Sequence, residues 1–317
     1  MTPRMRPVAA AGLAVVLLMA TGCEERVAGC PGLLETFGRT GMGPGEFSYP
    51  RAAVLGPNQR VYIVDKAARI QCYSTESEYL FDWRMPESDA GKPTGLGVGA
   101  DGRIYAADTH YSRVMIFEAD GTPVGEFGTR GHGPGEFMLP TDVAVTPDGE
   151  IYVSEYGGND RISKFAADRS YLFSFGGADA GEACLQRPQA LLLERDGTLW
   201  VADACNHRIC HFGADGQWLG SFGKPGSGLG ELRFPYGLDR MSDGTFVVCE
   251  YGNNRVQRFD GEGHSLGAWG VAGRRTGQLA YPWAAVALPG DRLLVLDSGN
   301  NRVQVIDGGA SRTWGGD

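Results

Sequence analysis

One sentence of sequence, written six times, limits what this chain can fold into. It reads proline, an apolar run, a turn, a second apolar run ending in an acid, a polar loop, then arginine and an apolar residue. The prolines are Pro50, Pro93, Pro140, Pro188, Pro235 and Pro282, separated by 43, 47, 48, 47 and 47 residues. The acids are Asp65, Asp108, Glu155, Asp203, Glu250 and Asp297, and the arginines Arg69, Arg113, Arg161, Arg208, Arg255 and Arg302. An aromatic closes each unit, from Trp83 through Phe127, Phe175, Phe222 and Trp269 to Trp314. A fixed period of this size marks a repeat array, and two-residue alternation broken by turns marks strands. Asp-Gly pairs at Asp101-Gly102, Asp148-Gly149, Asp196-Gly197 and Asp243-Gly244 supply the positive φ that short hairpins need.

Four strands per unit, six units, predict an all-β protein whose small sheets stand radially, so that few strand edges stay open. Composition agrees: 49 glycines among 317 residues suit an all-β chain rich in tight turns. The net charge of −9 gives no support to binding a phosphate backbone, so no nucleic-acid partner is expected. Leu33 to Gly38 is a lone copy of the last strand, ahead of the first complete unit. It and Ser311 to Trp314 compete for the position that closes the ring, and the sequence leaves that choice open.

The segments Asp297-Ser-Gly-Asn-Asn-Arg302-Val-Gln-Val and Glu250-Tyr-Gly-Asn-Asn-Arg255-Val-Gln-Arg-Phe resemble the NHL repeat. So do the lead-ins Gly41 to Phe47 and Gly131 to Phe137, which read Gly-x-Gly-x-Gly-Glu-Phe. The resemblance spans residues 33–317 and implies a six-bladed β-propeller with four antiparallel strands per blade. The first two blades drift most: Asp65 to Arg69 is one residue short, and Pro86 to Lys92 replaces the glycine-rich lead-in.

At the other end of the chain, Arg4 and Arg6 precede an apolar stretch from Val8 to Ala20, followed by Thr21-Gly22-Cys23. This has the order of a signal peptide over residues 1–22. Its ending resembles a bacterial lipobox, which implies lipidation at Cys23, a tether over 23–32 and a place on the extracytoplasmic side of the cell envelope.

The six acid–arginine pairs (Asp65–Arg69, Asp108–Arg113, Glu155–Arg161, Asp203–Arg208, Glu250–Arg255, Asp297–Arg302) recur at one place in every unit. A catalytic constellation is assembled once, so these read as structural strand-end pairs. The glycine-rich lead-ins precede strands and lack the following lysine, so they read as connections between blades rather than phosphate loops. Some NHL propellers are zinc-dependent lyases of peptidyl-α-hydroxyglycine, and the chain resembles them at Leu139 to Val145 and Asp203 to Ile209. In those lyases, zinc histidines follow the repeat proline in three blades. The matching positions here are Arg51, Thr94, Thr141, Gln189, Tyr236 and Trp283, none of them histidine. That chemistry is therefore not expected, no catalytic residue is assigned, and no cofactor is predicted. A divalent ion on oxygen ligands in the channel, with Asp142 as its nearest carboxylate, stays open.

The post-proline residues instead suggest a binding mouth at the centre of the ring, with Arg, Tyr and Trp of the kind that anchors partners. His110, Tyr111, Tyr156 and Tyr251, one loop away, form an expected rim. The reading is a monomeric, lipid-anchored binding or scaffold propeller for a protein or peptide; the alternative is a metal-assisted hydrolase or lyase with its site in the channel. Six cysteines remain beyond Cys23. The lyase resemblance implies a disulfide between Cys184 and Cys205, whereas Cys210 and Cys249 lie inside strands as small hydrophobes.

Overall fold

The computed structural model describes residues 30–315. The expected signal peptide (residues 1–22) and the expected lipidation site, Cys23, lie outside the described residues. Six sheets of four antiparallel strands stand in sequence order, with each blade running from an inner strand to an outer one. The inner strands of blades I to VI are Pro50–Leu55, Gly95–Val98, Leu139–Val145, Pro188–Leu193, Pro235–Arg240 and Ala285–Leu288. Every second strand ends at or one residue beyond the repeat acid, and every third strand begins at the repeat arginine. Arg60–Asp65 followed by Arg69–Ser74 is the example in blade I. The fold class read from the repeats, an all-β six-bladed propeller, is what the chain adopts.

Ring closure falls to the N-terminal copy. Leu33–Phe37 is the outer strand of blade VI, antiparallel to Arg302–Asp307 with Leu33 opposite Ile306 and Phe37 opposite Val303. Ser311–Trp314 forms a short 3-10 turn instead. Trp314 is buried beside Trp269, and its indole donates to the Gly308 carbonyl. The attachment begins earlier than the expected tether boundary at residue 32. Trp269 donates to the Pro31 carbonyl, and Cys30 Sγ donates to that of Thr276.

The core is divided into six apolar layers, each lying between two neighbouring blades. Between blades IV and V, for instance, Ala202 and Ile209 meet Phe246, Val248 and Phe259. No blade buries its faces alone, so each depends on both neighbours and the array is stable only as a set. At some inner-strand positions the neighbouring blade leaves no room for a side chain. A Cβ on Gly95 would lie 2.1 Å from the Thr141 carbonyl oxygen of the next blade, so glycine there sets how tightly the ring closes.

Candidate functional site at the channel mouth

The repeat acids are fully buried, and each is bonded to its arginine at 2.5–3.0 Å. Taking a carboxylate out of water is costly unless hydrogen bonds replace the solvent. Here the replacement comes from the glycine-rich lead-ins. Asp65 accepts the Ser48 amide, and Arg69 donates to the carbonyls of Met42, Gly43 and Glu46. Blades III, V and VI repeat the plan through Glu155–Arg161, Glu250–Arg255 and Asp297–Arg302. Blade IV keeps a shorter version, in which Arg208 holds the Cys184 carbonyl. In blade II, whose lead-in departs from the motif, Arg113 turns to Glu87 and Glu126. The motif glutamates close the same loops: Glu46, Glu136 and Glu231 accept the amides of Gly43, Gly133 and Gly228.

This frame fixes the loops between blades and with them the residues on either side of each proline. In four blades the residue before the proline has a left-handed backbone: Tyr49 (φ 53°), Arg187 (57°), Phe234 (51°) and Tyr281 (49°). That conformation is unfavourable for a side-chain-bearing residue, and a following proline also restricts it. Each is held by a side chain from the loop of the preceding blade. Asn301 Oδ1 accepts the Tyr49 amide, Asp160 that of Arg187, His207 Nδ1 that of Phe234, and Asn254 Oδ1 that of Tyr281. The two sets of loops therefore share one face of the propeller.

On that face, aromatic side chains from three blades gather at the mouth. Tyr236 stacks on Tyr251 (4.6 Å between ring centres) and meets Trp283 edge-on (4.9 Å). Trp283 also touches Tyr49 and Tyr251, and Tyr251 touches Tyr281. Two guanidinium groups lie over these rings: Arg51 over Trp283 at 5.5 Å, and Arg187 over Tyr156 at 4.9 Å and Tyr236 at 5.8 Å. Burial pushes the Tyr49 and Tyr236 phenols above their ordinary values, so both keep their protons at neutral pH.

Below the mouth, the inner strands surround a cavity of about 400 Å³ whose wall includes Arg51, Thr94, Asp142, Gln189, Tyr236 and Trp283. Two carboxylates stand in that wall. Asp142 accepts the Leu191 amide across the blade III–IV junction, and Asp239 accepts the Ala287 amide across the V–VI junction. Each is partly exposed to the narrow channel, yet enclosed by protein on every side, and it is the enclosure that governs their charge. Desolvation pushes Asp142 up to about 7 and Asp239 to about 6, against the pull of the backbone N–H groups that bond them.

The structure thus brings Arg51, Gln189, Tyr236, Trp283, Tyr156 and Tyr251 to the mouth, keeps Thr94 and Asp142 in the cavity wall, and gives Thr141, His110 and Tyr111 other surroundings. The Thr94 hydroxyl contacts Thr109 and the Thr141 carbonyl, and the Thr141 hydroxyl contacts Ser154 and the Pro188 carbonyl. Both clasp one blade to the next. Tyr111 accepts the Ala90 amide at its hydroxyl, and the His110 ring packs beside Gly91, so both serve the irregular connection into blade II. Sequence reasoning missed Tyr49, Arg187, Tyr281 and Asp239. The signal for the first three was available, since large side chains precede the proline in every complete repeat where this backbone strain occurs.

The disulfide expected between Cys184 and Cys205 is not formed, and both residues are free thiols. Cys184 Sγ is turned to the Leu185 carbonyl, and the two loops are joined instead by hydrogen bonds from Cys205 N to Gln186 O and from Asn206 to Cys184 O. Cys72, Cys210 and Cys249 are buried in strands. Among the described residues, three potential metal ligands converge at Asp260, Glu262 and His264, on a hairpin turn of blade V. Among the described residues, no such set converges on the channel.

Residues 98–173 match a family described as a 6-bladed beta-propeller, and residues 185–212 and 279–306 match the NHL repeat. NHL repeat-containing protein 3 of Mus musculus is 36% identical over 172 residues, which is 49% of this chain and 48% of that protein. Protein brain tumor of Drosophila melanogaster is 26% identical over 123 residues, 38% of this chain and 11% of that protein. The chain thus spans less than half the length of either relative. Among solved structures, virginiamycin B lyase from Staphylococcus aureus superposes with a TM-score of 0.58 at 20% identity, covering 81% of this chain and 80% of that one. At that identity the likeness concerns the fold alone.

Proposed function

We propose that this chain, a six-bladed β-propeller carrying NHL repeats, is a binding module that takes a protein or peptide partner at its channel mouth. The observation that carries this reading is the aromatic bowl. Five aromatic side chains, Tyr49, Tyr236, Tyr251, Tyr281 and Trp283, are brought to one concave spot by loops whose backbones are held in unfavourable conformations. Rigid Tyr and Trp with adjacent Arg are the residue types that carry most of the energy in protein interfaces, and stored backbone strain clusters at functional sites. The order of residues 1–23 supports a lipid anchor at Cys23 and an extracytoplasmic place for the module. The acidic net charge argues against a nucleic-acid partner.

A second reading, a metal-assisted hydrolase or lyase, has Asp142 as its specific support, because a carboxyl group pushed up to about 7 inside a channel is the kind of group catalysis uses. Its bonds to backbone amides give the same group a structural role, so the binding reading is preferred.

In-cell crosslinking of the full chain, followed by capture and mass spectrometry, tests the proposal. A stoichiometric partner should appear with the native chain and be lost with the triple variant Arg51→Ala, Tyr236→Ala, Trp283→Ala. A partner retained by that variant would move the interface elsewhere. In the same cells, Cys23→Ala should shift the protein from the membrane to the soluble fraction.

A further inference from the structure

We propose that the channel mouth recognises the free α-carboxylate at the end of a peptide chain; this rests on the binding-module reading and names its ligand chemistry. Each of the six repeat arginines holds a buried acid. Arg51 and Arg187, among the described residues, hold none in an ion pair, and the Nε group of each is buried without an acceptor. Gln189 stands on the same channel wall, 7% exposed, with its Nε2 also unpartnered. Three N–H donors without acceptors are a costly arrangement in a native structure and call for an explanation.

The aromatic contacts limit how the two groups can move. Arg51 Cζ lies 5.5 Å from the centre of the Trp283 ring, and Arg187 Cζ lies 4.9 Å and 5.8 Å from those of Tyr156 and Tyr236. The N–H edge of a guanidinium matches the two oxygens of a carboxylate. Arg51 and Gln189 line the cavity itself, and Arg187 lies beside Tyr236, which lines it too. The protonated Tyr49 and Tyr236 phenols add neutral O–H groups rather than charge. Asp142, further down the wall, bears a reduced negative charge near neutrality and offers less repulsion than an ordinary carboxylate would.

The shape of the site selects a chain end over an acidic side chain within a loop. The cavity beneath the mouth is about 400 Å³ and enclosed by six inner strands, enough for roughly the last few residues of an extended chain. An internal segment would have to enter and leave past Tyr49, Tyr251 and Tyr281, which occupy the rim.

The test is a calorimetric titration of the purified chain with N-acetylated tetrapeptides. Each of the twenty C-terminal residues is presented both as the free acid and as the amide. The expected result is that some free acids bind while their amides bind about 10- to 100-fold more weakly, the range for losing a charge-assisted contact. Arg51→Gln with Arg187→Gln should abolish that preference. Gln189→Glu, which sets a negative charge against the ligand, should weaken the acids selectively and serves as the second variant if the double one fails to fold. Equal binding of acids and amides, or a preference that survives in these variants, overturns the inference. So does equally strong competition by inorganic phosphate, which would make the mouth a general anion site. If no tetrapeptide binds but crosslinking still retrieves a mouth-dependent partner, the carboxylate inference fails and the binding-module reading stands. If both fail, both are overturned.

Discussion

Within the buried pairs, single residues connect strand to loop. Arg69 is 1% exposed and satisfies three carbonyls of the first lead-in as well as Asp65. Arg69→Ala would strand those acceptors and leave an unpaired carboxyl group in the interior. The expected loss is about 3–5 kcal/mol, read as a shift of the urea midpoint. Arg103→Ala, which breaks a pair exposed on both sides, should leave the urea midpoint essentially where it is. Asp142 makes a pH-dependent contribution of predictable sign. Its pKa is about 7 in the folded chain against roughly 4 in the unfolded one, so the folded state binds more protons between those values. Stability from this group is therefore present at low pH and lost as pH rises through about 7. Asp142→Asn should remove that slope, gaining on the native chain by roughly 1–2 kcal/mol between pH 4.5 and 7.5 once screening by channel water is allowed for. Denaturation curves at the two pH values check it. Asp239, raised in the same direction, leaves a smaller slope of the same sign.

For whole strands, the most exposed dependence is the closure of the ring. Blade VI takes its outer strand from the opposite end of the chain, and Leu33 is buried in the layer between blades V and VI. A chain beginning at residue 38 would leave the edge of Arg302–Asp307 unpaired and remove Leu33 from its layer. It should melt about 10 °C or more below the full chain and self-associate through the open edge. Calorimetry and light scattering read the two effects. An unchanged melting temperature would mean that Ser311–Trp314 can take over as the outer strand. Both segments end in the aromatic–glycine pair that closes a repeat, so that signal alone favours neither. What separates them is the path of the chain: after Asp307 the turn at Gly308 and Gly309 carries it into a 3-10 turn that packs Trp314 against blade V.

Across the whole molecule, the repeat period was enough to read the blades, their strand order and the sites of the buried acid–arginine pairs. These depend on contacts within one blade or with the connection leading into it, and a fixed period writes them into the chain. The mouth was legible in part. Arg51, Gln189, Tyr236 and Trp283 were marked by breaking the pattern after the proline, and Tyr156 and Tyr251 by breaking it in the same way after glutamate. Thr94, Thr141, His110 and Tyr111 occupy matching positions but spend their polar groups on neighbouring blades or on the connection into blade II. Tyr49, Arg187 and Tyr281 join the bowl because a backbone turn, fixed by a side chain of the preceding blade, aims them inward. The sequence by itself determined the propeller, because strand periodicity and turn chemistry act over a few residues. Only the tertiary structure decided which strand closes the ring and which side chains from separate blades converge at its axis, because those contacts join residues about 30 to 270 positions apart and form only when blades pack side by side.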